Sequence, residues 1–308
     1  NTNALFDSLS LQERSKMELW AMAQKEYIKN PSPSNLAFEV LQRSGTNPII
    51  QVDEFDKISE ESCSVGIGIP GFSSRQTGII TNANSLWLND KPFKKDLELA
   101  LKREVRLMND ANCFTLSEAV DGAGKDYKSI FGIIIGTGFG GGLSYNKSII
   151  EGSNQIAGDW GHQPLPYPTK DEQEIKINCP SNNCGRPLCA EQFMSGIGFK
   201  DRFNQKHDTN FTSEEIVKLD LEKDPRANLE LGLYEDRMAR LMAVMIGIFD
   251  PDAIILGGGM SNIDRFYKNI PSLIPKYTFS NKVETKVLKN LHGDSSGVRG
   301  AAWLWNNV

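Results

Sequence analysis

Between Phe131 and Gly142 the chain reads FGIIIGTGFGGG, and few stretches limit a fold so tightly. Phe131 and the run Ile133 to Ile135 have the apolar, β-branched character of a short buried strand. Five glycines, Gly136, Gly138, Gly140, Gly141 and Gly142, fall within the next seven residues. Glycine adopts positive φ without strain and lets backbone N–H groups come close to a ligand. A strand running into such a turn can present successive amides as a cradle for an anion, with the Thr137 hydroxyl beside them. The same residues also suit a plain β-hairpin with nothing bound, and a glycine run by itself does not separate the two.

A second turn of the same kind narrows the choice. Ala253 to Leu256 reads as a buried strand that breaks into Gly257-Gly258-Gly259. One glycine turn could hold phosphates and the other the flat side of a nucleoside. Neither fits GxxxxGK[ST], which argues against a P-loop, and no acidic residue follows at the spacing of a dinucleotide fingerprint. Val105 to Met108 is a predicted strand with Asn109-Asp110 at its carboxyl end. In open α/β sheets ligands gather at such ends. Asp110 could there deprotonate a hydroxyl that attacks a phosphoryl group. Asn-Asp is also an ordinary N-cap for a helix over Ala111 to Val120, and both roles can hold at once.

Five cysteines, Cys63, Cys113, Cys179, Cys184 and Cys189, are too odd in number and too uneven in spacing for a disulfide framework, which points to a reducing cytoplasm. Three of them fall within eleven residues. With His162, which lies in the predicted loop Gly158 to Pro166, they supply one imidazole and three thiolates, a closed donor set for a tetrahedral structural zinc. The spacing C-x4-C-x4-C is looser than a CxxC knuckle, and three ordinary reduced cysteines are the competing reading. The net charge of −5, with no basic run interleaved with aromatics, argues against a nucleic-acid partner. No apolar stretch approaches the roughly 20 residues that span a bilayer, and no signal-peptide pattern opens the chain at Asn1.

The remaining pattern alternates strands and helices, an α/β arrangement of about two domains. A capping box at Ser10 and Glu13 predicts a helix to Lys29, stopped by Asn30-Pro31-Ser32-Pro33-Ser34 before a second helix over Leu36 to Leu41. Ser64 to Gly68 reads as a strand and Phe93 to Glu104 as a Lys-rich helix. Tyr234, Met238, Leu241, Met242, Met245 and Phe249 have helical spacing, with Asp250-Pro251 as the stop. Ser295 to Trp305 predicts a turn and a final apolar helix.

Read in order, GIGIPG (Gly66 to Gly71), NANSLWLN (Asn82 to Asn89), NDANC (Asn109 to Cys113), IIGTGFGGG, GDWGHQPLP, CGRPLCAE (Cys184 to Glu191), DPDAIILGGGMSN (Asp250 to Asn262) and HGDSSGVRGAAWLW (His292 to Trp305) resemble the ROK family of sugar kinases. Within it they are most similar to the bacterial fructokinase and mannokinase type. The resemblance runs from Val65 to Trp305. It implies an α/β fold of the two-lobed, actin-like ATPase (ribonuclease H-like) kind. The smaller lobe would be residues 1–118 with the C-terminal helix 295–308, and the larger lobe 119–294, carrying the zinc site. It implies ATP-dependent phosphorylation of a small-molecule hexose, first of all fructose to fructose 6-phosphate, with Mg²⁺ and a structural Zn²⁺, in a cytoplasmic homodimer that binds neither nucleic acid nor membrane. An N-acetylhexosamine kinase and a weakly active or inactive sugar sensor are its alternatives.

By that resemblance Asp110 is the general base, and Asn84 and Asn109 hydrogen-bond the sugar. Asp159, His162 and Glu191 lie on the sugar side. Gly136, Thr137 and Gly138 surround the ATP phosphates, and Gly257, Gly258 and Gly259 the adenosine. His162, Cys179, Cys184 and Cys189 hold the zinc, one ring nitrogen of His162 facing the metal and the other the sugar. The sequence departs from the family in three places. ExGH reads Asp159-Trp160-Gly161-His162, one methylene shorter, so the carboxylate either misses a sugar hydroxyl or holds it through water. C-x-C-G reads Asn182-Asn183-Cys184-Gly185, with Cys179 the nearest replacement thiolate. The phosphate loop DxGGTK, which faces GTGFGGG across the phosphates and carries an aspartate for Mg²⁺, has no counterpart in residues 1–64, and no glycine precedes Gly45.

Overall fold

The computed structural model describes residues 49–51, 64–83, 88–175, 178–181, 184–280 and 282–305. The helices expected over 10–29 and 36–41, and Asn84, lie outside these residues. Two sheets organise the rest. The first is built from β1 (Ile49–Gln51), β2 (Val65–Ile69) and, after the two-stranded hairpin of β3 (Phe72–Ser73) with β4 (Ile80–Thr81) and helix α1 (Phe93–Leu101), β5 (Val105–Asn109). Its order is β1-β2-β5. β2 and β5 run parallel, with Ile69 opposite Asn109. β2 alternates, so Val65, Ile67 and Ile69 fall on one face, where they join Ile80, Leu88, Phe93 and Val105 in a small core. α1 stops earlier than its Lys-rich sequence predicts: Lys102 turns left-handed after Leu101.

Helix α2 (Asp110–Val120) leads to the second sheet, which begins β6 (Ser129–Ile135), β7 (Phe139–Tyr145), β8 (Ser148–Ile149). Helices α3 (Lys170–Gln173), α4 (Ala190–Met194), α5 (Gly196–His207), α6 (Ser213–Leu221) and α7 (Pro225–Phe249) follow. Then come β9 (Ala253–Gly257), α8 (Arg265–Leu273), β10 (Lys286–Lys289) and α9 (Ser296–Trp303). The order is β10-β9-β6-β7-β8. β6, β9 and β10 are parallel, and β7 and β8 antiparallel. Both faces of β6 are covered, as a nearly continuous apolar strand requires. Phe131, Ile133 and Ile135 face the main core with Phe193, Phe199, Tyr234, Met238 and Met242. Ile130 packs with Phe114 and Ile255 under α2.

One expectation is corrected here. Gly140, Gly141 and Gly142 are not part of the turn; they lie within β7, and only Gly136-Thr137-Gly138 connects β6 to β7. Their lack of side chains serves packing instead. A Cβ at Gly142 would stand 2.6 Å from Asn112 Oδ1 and 2.7 Å from Thr115 Oγ1, so α2 can rest against β7 only over bare backbone.

Helix α7 is the longest described. Asp224 caps it, accepting from Arg226 N and Ala227 N, Pro225 opens it, and Asp250 closes it in a left-handed conformation. Its methionines are buried in the core, as their spacing predicts. It also carries a buried chain of charges. Glu172 Oε1 accepts from Arg237 Nε and from Arg240, both at 2.7 Å. Glu230 Oε1 accepts from Arg237 at 3.1 Å and from Arg202 at 3.0 Å. Among the described residues no helix is long and apolar enough to cross a membrane.

Burial pushes the Glu172 carboxyl up, but hydrogen bonds from Arg240, the Thr169 backbone and Arg237 outweigh it and hold the pKa at about 2. A depressed carboxylate contributes stability above its unfolded pKa of 4.5, and that stability is lost as pH falls through the folded value. Glu172→Gln therefore lowers unfolding free energy at pH 7 by about 3 kcal/mol, because it leaves two buried guanidinium groups short of their partner. In urea titrations the gap between variant and parent should narrow as pH drops from 4.5 toward 2.

Candidate active site

Three features meet at the carboxyl ends of parallel strands. At the end of β5, Asn109 is the N-cap of α2: its Oδ1 accepts from Ala111 N at 3.0 Å and Asn112 N at 3.3 Å. Its Nδ2 donates to Gly71 O at 3.3 Å, which fixes the amide against the turn after β2. The expected double role of Asn-Asp is thus half filled by capping, and Asp110 is the first residue of the helix. Asp110 Oδ1 accepts from Ala111 N at 2.8 Å. Asp110 is exposed to solvent on its outer side, while protein crowds the carboxyl from behind. That crowding raises its pKa to about 6; the backbone N–H groups of Ala111 and of Asp110 itself pull downward, and Asp159 pushes upward. Cys113, one turn on, is fully buried and its thiol is pushed up by that burial.

At the end of β6, Gly136 N donates to Gly138 O at 3.0 Å, closing a tight hairpin around Thr137. Gly136 O accepts from Gly196 N at 2.8 Å, so the start of α5 holds the hairpin from the side. β9 is the parallel neighbour of β6, with Ile134 opposite Gly257. The two glycine turns are therefore adjacent by strand pairing. Gly258 has φ +80, and a Cβ there would fall 2.5 Å from Ile135 O. Gly136 is different: a Cβ there meets nothing within 4 Å.

The loop after β8 brings the third group. Trp160 is buried against Phe131, edge-on at 4.7 Å, and Phe139, stacked at 5.2 Å. That anchors GDWGH beside the hairpin. The next residues pair by backbone with the segment before α4: Leu165 N donates to Leu188 O, Ala190 N to Gln163 O, and Glu191 N to Gly161 O, at 2.7, 2.8 and 2.7 Å. This pairing carries His162 to Cys189. His162 Nδ1 lies 3.6 Å from Cys189 Sγ and 3.9 Å from Cys179 Sγ, and the two sulfurs are 3.4 Å apart. With Cys184, all four donor atoms fall within 4.8 Å of one another. Burial pushes the Cys179 and Cys189 thiols above the ordinary thiol range. A cation at their centre would reverse that shift by stabilising thiolates. Asp159, half-buried, has its carboxyl raised by burial and by Glu191, against the pull of His162 and Arg186.

Glu191 is placed less openly than the resemblance implies. It is buried at 4% exposure. Its carboxylate accepts from Phe139 N at 3.2 Å and from Ser181 Oγ at 2.6 Å. Ser181, Ser195 and Gly196 are the residues that sequence reasoning passed over. Nothing in PSNNCG marks Ser181, whereas Ser195 before the helical GIGF does carry a capping signal, realised as an acceptor for Gly198 N at 3.0 Å.

The site defines a chain with a carboxylate at a helix start, two adjoining glycine turns and a cysteine-histidine cluster. Residues 46–308 match the family described as ROK family. The chain belongs to the ROK family. It is 36% identical over 241 residues to the N-acetyl-D-glucosamine kinase of Vibrio cholerae, covering 78% of this chain and 80% of that one. It is also 36% identical over 260 residues to the N-acetyl-D-glucosamine kinase of Haemophilus influenzae, covering 82% and 84%. Among solved structures it is similar to the ROK hexokinase of Thermus thermophilus, at TM-score 0.66 and 25% identity over 77% of this chain and 76% of that one. The ROK glucokinase of Streptomyces griseus, solved with glucose and AMPPNP, has TM-score 0.66 at 23% identity, covering 78% and 80%, a likeness of fold. The fold is the actin-like α/β fold of ROK kinases.

The two kinds of glycine in the turns should respond differently to substitution. Gly258→Ala forces a side chain into a left-handed backbone against Ile135 O and should cost about 1–3 kcal/mol in chemical denaturation. Gly136→Ala should leave stability within about 0.5 kcal/mol of the parent. Any loss of ligand binding in that variant then reports on the hairpin itself.

Proposed function

We propose that this chain transfers the γ-phosphoryl group of ATP to a hydroxyl of a hexose, with an N-acetylhexosamine as the acceptor. The observation that carries the reading is Asp110: a carboxylate with pKa about 6 at the start of α2, on the strand-end side where the glycine turns lie. Phosphoryl transfer needs positioning and charge stabilisation more than covalent chemistry. Asp110 accepts the proton of the attacking hydroxyl. Asn109 holds the turn at Gly71 that borders it. The hairpin amides of Thr137 and Gly138 face the phosphates, the Gly136 amide closing the hairpin on Gly138 O, and Gly257 to Gly259 face the nucleoside. Mg²⁺ bound with ATP neutralises the phosphate charge. The relatives that are N-acetyl-D-glucosamine kinases support an acetamido sugar over the fructose that the motifs alone implied.

A base raised to about 6 is protonated below that pH and inactive there. The rate on N-acetylglucosamine in a coupled ADP-release assay should fall on an acid limb near pH 6, not near 4. Asp110→Asn should lower turnover by about 10²–10⁴-fold while sugar binding by calorimetry persists. The same carboxyl is held against ionisation by the fold, so its favourable contribution is present below pH 3.8 and lost as pH rises past about 6. The variant should therefore melt no lower than the parent at pH 7. N-acetylglucosamine should exceed fructose in kcat/KM. Sugar binding without any ATP binding would instead favour a sensor, the reading that the missing DxGGTK loop supports.

His162, Cys179, Cys184 and Cys189 fit a zinc ion. Tetrahedral Zn–S and Zn–N bonds of about 2.0–2.3 Å require donors roughly 3.4–3.8 Å apart; His162, Cys179 and Cys189 stand at 3.4, 3.6 and 3.9 Å, and with Cys184 the four donors lie within 4.8 Å of one another. Nδ1 faces the sulfurs, which leaves Nε2 for the sugar side. Elemental analysis should find about one zinc per chain, and Cys179→Ser should reduce that content. A full complement of zinc in Cys179→Ser would remove Cys179 from the ligand set.

A further inference from the structure

Glu191 joins two parts of the site that no single element holds together. Oε2 accepts from Phe139 N at 3.2 Å, the first amide after the Gly136–Gly138 hairpin. Oε1 accepts from Ser181 Oγ at 2.6 Å and from Cys179 Sγ at 3.5 Å. A Cβ at Gly138 would stand 3.2 Å from Oε2, so the glycine leaves that flank of the hairpin open to the carboxylate. The backbone of the same residue continues the connection. Ser195 N donates to Glu191 O at 3.0 Å, and Gly196 N donates to Gly136 O at 2.8 Å. Side chain and backbone of one turn of helix thus grip the hairpin at both of its ends.

We propose that Glu191 is a positioning residue through which metal held by His162 and the three cysteines tightens the hairpin's hold on nucleotide phosphates. The inference rests on the reading of Gly136–Gly138 as a phosphate site. Ser181 lies two residues from Cys179 and three from Cys184. Metal bound to both cysteines fixes the short segment that carries Ser181. An O–H···O⁻ bond at 2.6 Å is short and strong, so the fixed hydroxyl holds Oε1, and Oε2 holds the Phe139 amide where the hairpin needs it. Without metal the segment is tied only by its own contacts, and the Ser181 hydroxyl is held less firmly on Oε1. Coupling of this kind is reciprocal: nucleotide must tighten the metal by the factor by which the metal tightens nucleotide. The position gives Glu191 a task besides the sugar contact that the family resemblance implies.

The test is equilibrium binding of AMPPNP to the full chain, zinc-loaded and chelator-stripped, for the parent, Ser181→Ala and Glu191→Gln. Stripping should weaken the parent about tenfold. Zinc-loaded Ser181→Ala should already bind as weakly as the stripped parent, retain its zinc, and change less than about twofold on stripping. Glu191→Gln should behave like Ser181→Ala. AMPPNP should tighten zinc in the parent by the same factor, read by chelator competition. Equal weakening of the parent and Ser181→Ala on stripping would overturn the proposal, as would a stripped parent that binds at full affinity. If the zinc-loaded parent binds no AMPPNP, the phosphate reading fails, and with it the nucleotide half of the proposal. Hydrogen exchange over residues 133–142 then decides the tie itself. Faster exchange on stripping and in Ser181→Ala supports it, and unchanged exchange overturns it.

Discussion

The seat of helix α2 is the constraint on which the rest of the structure depends. The helix lies between the two sheets with α9 alongside, and the backbones around it carry no side chains where it touches them. A Cβ at Gly132 would stand 2.2 Å from Thr115 Oγ1, at Gly257 2.4 Å from the Phe114 ring, and at Gly300 1.7 Å from Cys113 O. Three elements distant in sequence are thus shaped to one helix. Its first residue is Asp110, and its cap is the last residue of β5. A site built on rigid elements keeps its geometry better than one built on loops. The close packing that seats α2 also crowds the Asp110 carboxyl from behind while its outer side stays open to solvent, and that crowding is the main cause of its raised pKa.

The other half of the site is held differently. The hairpin and the cysteine cluster sit on loops and on α4, a helix of five residues. So short a helix has little stability of its own. Its carboxyl end is secured from the main core: Arg202 donates to Gln192 O and Phe193 O at 3.2 and 3.0 Å, and Tyr234 OH to Met194 O at 2.7 Å. Arg202 in turn is balanced by Glu230, and Glu230 by Arg237. The buried charges along α7 therefore do more than fill the interior. They satisfy carbonyls that would otherwise be orphaned at the end of α4, and so place Glu191 and Cys189 at its start.

Much of this was legible in the sequence, and the parts that were not share a physical reason. The strand-to-glycine turns, the Asn109-Asp110 position and the stop of α7 at Asp250 follow from local chemistry: glycine turns, side-chain caps, helical spacing. The assignment of His162, Cys179, Cys184 and Cys189 to one cluster followed from donor chemistry, and the backbone pairing of 161–165 with 188–191 supplies the fold that assembles it. The glycines of β7 were misread because turn chemistry and packing against bare backbone use the same residue; only the partner, Asn112 and Thr115 on α2, tells them apart. The burial of Glu191 was invisible for the same reason. Its partners, Phe139 N and Ser181 Oγ, come from other segments, and only their placement shows that the carboxylate is turned inward.

The departure at Cys179 ties these strands together. In a C-x-C-G spacing a single residue separates the two thiolates, and it has little freedom to do anything else. Here four residues, Pro180 to Asn183, separate Cys179 from Cys184. The longer segment still brings both sulfurs to His162. It also has room to present a hydroxyl inward, and Ser181 is the residue that does so, at 2.6 Å from Glu191. A change that looks in sequence like the loss of a thiol is, in three dimensions, a thiol moved upstream with a hydrogen-bond donor added between the pair. That donor is aimed at the one carboxylate that also holds the backbone of FGIIIGTGFGGG. A segment that departs from the family pattern is therefore bonded, through Glu191, to one that follows it.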